Sequence, residues 1–215
     1  MRRIVFLMFI LSTLHCPSSI IRGENVADLF TAMPDSIFPL LTEKNRHDMV
    51  DFFHNHMQAK VRNRLNDYVV LDTLTDDYLH VTLSKSSTAE LKCMQASDST
   101  VVIALVQTLA APVRDSQVEF YDGHWQRLPQ LKMPVPATRD FFTEFPDSVA
   151  RDMDFAQRSI DDLRLLEIKA EPDADIFTLT LSCQELMEDE KKVATRYVRS
   201  LRYRWTGREF VRMDL

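Results

Sequence analysis

The sequence predicts an α+β protein written as a tandem duplication. Each half reads as helix followed by an antiparallel sheet meander, with helix on one face of the sheet. Three observations carry this. Residues 28–37 (DLFTAMPDSI) recur as residues 140–149 (DFFTEFPDSV), at an offset of 112 and with six of ten positions identical. Residues 91–94 and 101–105 recur as residues 166–169 and 176–180, at an offset of 75, each pair reading as strand, polar turn, strand. Tyr121-Asp122-Gly123-His124-Trp125 recurs as Trp205-Thr206-Gly207-Arg208-Glu209-Phe210, at an offset of 84. Three matched segments in one order indicate a repeat. In each half helical spacing precedes strand alternation, which gives an antiparallel sheet covered by helix.

The elements follow in order. Pro34-Asp35-Ser36 and Pro146-Asp147-Ser148 are helix-start signals, because proline suits a first turn and short oxygen side chains bond free amides there. The second helix is expected from near Pro146 through Ile160 to Leu163. The first half carries an insertion over most of residues 40–87. It holds a helix expected over residues 46–65, with Met49, Phe52, Phe53 and Met57 at helical spacing, and an extra strand over residues 78–84. The second half carries a longer charged connection, residues 184–195. The two glycine turns are expected to be tight hairpins, with Gly123 and Gly207 supplying the positive φ. Each sheet is expected to have about four or five strands. Residues 128–138, with Pro129, Pro134 and Pro136, read as a stiff connector. They divide the chain into a first repeat over 24–130 and a second, shorter repeat over 131–215.

Residues 1–23 read as a secretory signal peptide. Arg2 and Arg3 precede the apolar run 4–11, which is too short to span a bilayer. No later segment is long and apolar enough to be a transmembrane anchor. The expected location is periplasmic or secreted. A lipid anchor through Cys16 is the alternative, although His15 stands where a small residue is wanted. Removing residues 1–23 takes away three arginines and no acid, which moves the formal net charge from −6 to −9. Such a chain has no electrostatic attraction to nucleic acid or anionic lipid. Only three glycines occur among 215 residues, which excludes glycine-rich loops that cradle nucleotides. Cys93 and Cys183 both fall on the apolar phase of alternating segments, as core thiols do.

The order of segments resembles a known family. An export signal is followed by Phe-Thr-x-Met-Pro-Asp-Ser-x-x-Pro-Leu-Leu (30–41), Ala111-Pro112, the Tyr-Asp-Gly-His-Trp turn and a closing Trp-x-Gly-x-x-Phe (205–210). This resembles a family of secreted proteins from the Bacteroidales known only as a domain of unknown function. The resemblance implies an envelope location and carries over no catalytic residue.

The candidate sites divide between chemistry and plain surface. His47, Asp51 and His54 share one helix face, a spacing that metal ligands use, but the same stripe is the solvated side opposite Met49, Phe52 and Phe53. His56 is expected to pack or hydrogen-bond at the edge of the apolar face. His124 lacks an adjacent nucleophile. Arg202 and Arg204 alternate with Leu201, Tyr203 and Trp205, so they either pair with acids of their own sheet or form an open face for an acidic partner. The acids are at hand, because residues 140–190 hold 15 acids and 4 bases. No catalytic, cofactor-binding or metal-binding residue is assigned. The reading that follows is a non-catalytic binding module of the envelope, whose partner is another envelope protein or a cell-surface polymer. The alternative is a small-ligand binder or hydrolase with a pocket between the two halves.

Overall fold

In the computed structural model of the chain, residues 25–110 and 112–213 are described. The export signal expected over residues 1–23, with Cys16, lies outside them.

The chain enters through two helices, α1 (Val26–Ala32) and α2 (Glu43–His54). Asn25 caps α1 by accepting from the Asp28 amide at 2.8 Å. Thr42 and Asn45 form a reciprocal capping box that starts α2. Six strands follow: β1 (Lys60–Arg62), β2 (Tyr68–Leu74), β3 (Tyr78–Ser84), β4 (Ser87–Gln95), β5 (Val101–Ala110) and β6 (Arg114–Asp122). They form one antiparallel meander in chain order. The connector then leads through short 3₁₀ turns to α3 (Ala150–Asp162), β7 (Leu166–Ala170), β8 (Ile176–Leu181), α4 (Glu188–Tyr197), β9 (Leu201–Trp205) and β10 (Phe210–Met213). These four strands make a second antiparallel sheet, ordered β10-β9-β8-β7. The class is α+β, as the sequence predicts.

Four local expectations are corrected. The helix expected over residues 46–65 spans Glu43–His54 instead. Asn55 caps its end and His56 takes φ +55°, after which Ala59 and Val61 are buried in strand alternation while Met57 and His56 are exposed. The first sheet therefore has six strands, since β1 and β2 occupy ground assigned to helix and loop. Not every helix precedes the strands: α4 fills the charged connection, with Glu188, Asp189 and Glu190 in its first turn where the helix dipole favours acids. Gly207 does take φ +89°, but at the first turn the positive φ, +60°, belongs to Trp125 rather than Gly123. Asp122 makes that turn by accepting the His124 and Gln126 amides at 2.9 and 2.8 Å.

The two glycine turns occupy corresponding places, whereas residues 28–37 run from α1 into a turn and residues 140–149 are two 3₁₀ turns joined by extended chain, so Pro34-Asp35-Ser36 follows a helix instead of starting one. The turn aromatics Tyr121 and Trp125 stack at 5.4 Å, and their counterparts Trp205 and Phe210 at 5.0 Å. A single offset does not serve every strand. At 75, Val102 and Ala104 fall on Phe177 and Leu179, all in one core. Lys92 and Met94 of that same core side fall on Glu167 and Lys169, on the other face of the second sheet. A one-residue slip reverses the face of a strand.

Both faces of the first sheet are covered. On one side Ala89, Leu91, Ile103 and Leu105 pack under α1 and α2 with Phe30 and Met49. On the other, Met94, Val102, Ala104 and Phe120 share a core with Met153, Phe177, Leu179, Trp205 and Phe210 of the second half. This double burial explains why β5 opens as an unbroken apolar run.

Candidate functional site

The two halves meet edge to face. β7 is an edge strand, and its outward amides at 166, 168 and 170 are each bonded by a side chain of the first half. Asp115 accepts from Leu166 at 3.1 Å, Ser116 from Ile168 at 2.9 Å and Glu90 from Ala170 at 2.8 Å. An edge that would otherwise recruit another strand is thereby closed. Glu90 is buried, and burial pushes its carboxyl up to about 7. Burial and the adjacent Glu90 also push the Tyr78 hydroxyl up. Lys92, likewise buried, donates to Asp77 at 2.7 Å and to the Pro172 carbonyl at 3.0 Å, tying β4 to the β7–β8 turn. At that same end the Ser97 amide donates to the Gly207 carbonyl at 2.9 Å, and the Trp205 indole to the Gln95 carbonyl at 2.8 Å.

The opposite end of the seam is open. Two adjoining hollows of about 640 and 540 Å³ share Leu83, Ser87 and Gln107. They form one groove along the end of the first sheet, from the α1–α2 loop to the α3–β7 connection. Leu40, Leu65, Leu83, Leu109, Leu163 and Leu165 line it. Four of these are well exposed for leucine: Leu40 at 43%, Leu65 at 71%, Leu109 at 61% and Leu163 at 57%. Convergent exposed leucines mark a contact surface rather than scattered surface residues. Among the described residues, the charged groups in the lining are Asp67, Asp115 and Glu185, with no histidine, cysteine, lysine or arginine beside them.

The residues singled out in the sequence lie elsewhere. His47, Asp51 and His54 are exposed on α2, and His47 reaches only Glu43, at 3.9 Å. Among the described residues no group of three His, Cys, Asp or Glu is placed to hold a metal ion. His56 is exposed rather than packed, because its backbone turns the chain out of the helix. His124 is exposed at its turn. Arg202 is paired across its sheet with Glu171, through contacts of 2.7 and 2.8 Å from one nitrogen. Arg204 is exposed on the outer face of the second sheet. Cys183 is a buried thiol whose pKa burial raises, which disfavours its reactive thiolate form, and it is not joined to Cys93. Asp35 of the first Pro-Asp-Ser receives Arg46 at 3.0 Å and the Glu43 amide at 3.0 Å, a structural role. Its counterpart Asp147 is exposed.

Residues 19–210 match the family described as "Protein of unknown function (DUF3256)". The chain belongs to this family. The match takes in every helix and all strands up to the start of β10. The fold of this DUF3256 chain is shared with the structure of a domain of an uncharacterized protein from Porphyromonas gingivalis W83. That likeness has a TM-score of 0.72 at 24% identity, over 90% of this chain and 99% of the other. No curated protein matches.

Pattern reading missed the groove because its leucines come from separate connections and strand ends. The signal was present in two of them. Leu65 is a lone apolar residue inside the polar turn 63–67, and Leu109 continues the helix-facing phase of β5 beyond the reach of α1 and α2.

Proposed function

We infer that the protein is a non-catalytic binding module of the cell envelope, and that its partner is a polypeptide which lays apolar side chains into the groove. The observation that carries this reading is the convergence of four exposed leucines on one groove built from both halves. Ligand sites are concave, mostly apolar and fitted with a few polar groups, and Ser87, Thr88 and Gln107 supply those here. The envelope assignment rests on the cationic and apolar opening of the chain. The groove also lies where the small-ligand or hydrolase alternative needs its pocket. The described residues of its lining offer no histidine, cysteine or lysine to activate a nucleophile, so binding is the better use of it. The Arg202–Arg204 face is a weaker candidate, because Glu171 already engages Arg202.

Fluorescence anisotropy with strand-length peptides tests this. Three labelled peptides alternate leucine with serine, lysine or glutamate. At least one is expected to bind the native protein and to lose about tenfold or more in affinity for a Leu109→Asn/Leu163→Asn variant, which adds no charge. Binding that is unchanged in that variant, or no binding by any peptide, overturns the reading.

A further inference from the structure

Resting on the groove reading above, we propose that the occupant is an extended cationic amphipathic segment, with apolar side chains alternating with lysine or arginine. Charge is the first ground. Asp67 stands at the α1–α2 loop end of the groove and Asp115 and Glu185 at the α3–β7 end, with no cation among the described residues that line it. A bound segment therefore meets carboxylates at both ends of an apolar floor. Basic residues at those positions complete exposed ion pairs, whereas acidic ones meet like charge. The whole chain is also acidic, with a net charge of −6, so the same sign of partner is steered toward it.

The shape of the floor argues for an extended backbone. It crosses the ends of β3, β4 and β5, and apolar and polar lining residues are interleaved along it. Leu83 and Leu109 stand beside Ser87, Thr88 and Gln107. An extended chain points alternate side chains to opposite sides. One set can enter the leucines while the other reaches the acidic rim, and the main-chain groups then lie against the hydroxyls and the amide. A helix satisfies its own main chain and has no use for these groups.

The same three peptides, with a fourth that alternates lysine and serine, decide the matter. The leucine–lysine peptide is expected to bind most tightly, and its affinity to fall steeply with added salt. An Asp67→Asn/Glu185→Gln variant keeps its hydrogen-bond acceptors and most of the net charge, and is expected to bind this peptide about fivefold more weakly. The lysine–serine peptide reports attraction to net charge alone and is expected to bind weakly to both proteins. If the leucine–serine or leucine–glutamate peptide binds as tightly as leucine–lysine, and Leu109→Asn/Leu163→Asn, which adds no charge, abolishes that binding, the groove stands and the cationic assignment falls. If the leucine–lysine peptide is insensitive to Leu109→Asn/Leu163→Asn, the groove itself falls.

Discussion

Arg46 and Glu90 show how single buried charges shape this molecule. Arg46 is 1% exposed and threads beneath the α1–α2 loop. It donates to Asp35 at 3.0 Å, to the Leu41 carbonyl at 2.7 Å and to the Thr31 and Met33 carbonyls. Arg46→Met leaves those carbonyls without a partner and is expected to cost on the order of 3 kcal/mol in urea unfolding. A loss under about 1 kcal/mol would show that water replaces the guanidinium. Glu90 makes a pH-dependent contribution. Its carboxyl rises from 4.5 to about 7, chiefly through burial. Burial favours the neutral form, so the stability it confers is full below pH 4.5 and is lost as pH rises through 7. The loss is on the order of 3 kcal/mol. Glu90→Gln keeps an acceptor for the Ala170 amide and cannot titrate. The stability difference between native protein and variant should therefore shift against the native protein between pH 4.5 and 8. A difference that is flat across that range would remove the buried carboxylate from the account.

At the scale of elements, the β9–β10 turn is the tightest fit between the halves. Gly207 has φ +89°, and a Cβ there would lie 3.1 Å from the Ser97 backbone nitrogen. Gly207→Ala therefore combines a strained dihedral with a backbone clash, and is expected to lower stability by about 1–3 kcal/mol. Thermal melts of the two proteins check this, and an unchanged midpoint would contradict it. This turn was legible in the sequence because glycine beside threonine between aromatic strands has one common use. The strand over residues 78–84, both strand pairs of the repeat and the second helix were legible for a similar reason, since their side-chain periods are clean. Three features were not. β2 carries a register shift between Leu71 and Thr73, which breaks its alternation at Asp72. α2 ends at His54 and the chain turns away through Asn55 to His56 at positive φ, a conformation that sequence rarely announces. α4 is a polar helix whose only buried residue is Ala194, so almost no apolar stripe marks it. The candidate site was the least legible part, because its leucines come together only when three connections and the ends of β3 and β5 are placed at one end of the sheet.

At the scale of the whole molecule, the shared core decides how the halves behave. Among the described residues, the face of the first sheet that carries Met94, Val102, Ala104 and Phe120 is covered by the second half together with the connector residues Leu128, Leu131 and Met133, and the Phe120 ring meets that of Phe210 at 5.5 Å. The edge of β7 is satisfied only by first-half side chains. Separating the halves would expose an apolar sheet face on one and unpaired amides on the other, and both changes are costly. The repeat proposed over 24–130 and 131–215 is therefore expected to be a unit of descent but not of folding. The two tryptophans give a direct measure. Trp125 lies in the core beneath α1, where its indole donates to the Leu29 carbonyl at 3.0 Å, and Trp205 lies in the core shared by both halves. Trp125→Phe and Trp205→Phe each leave one reporter, for the second half and the first half respectively. In urea the two single-tryptophan proteins, each referred to its own circular-dichroism transition, should show fluorescence midpoints that coincide with it, as a cooperative two-state fold requires. A Trp205 signal that is lost at lower urea than the Trp125 signal would instead show the second half leaving first. The groove that spans both halves would then open with it, and its affinity for a bound segment would depend on that separation.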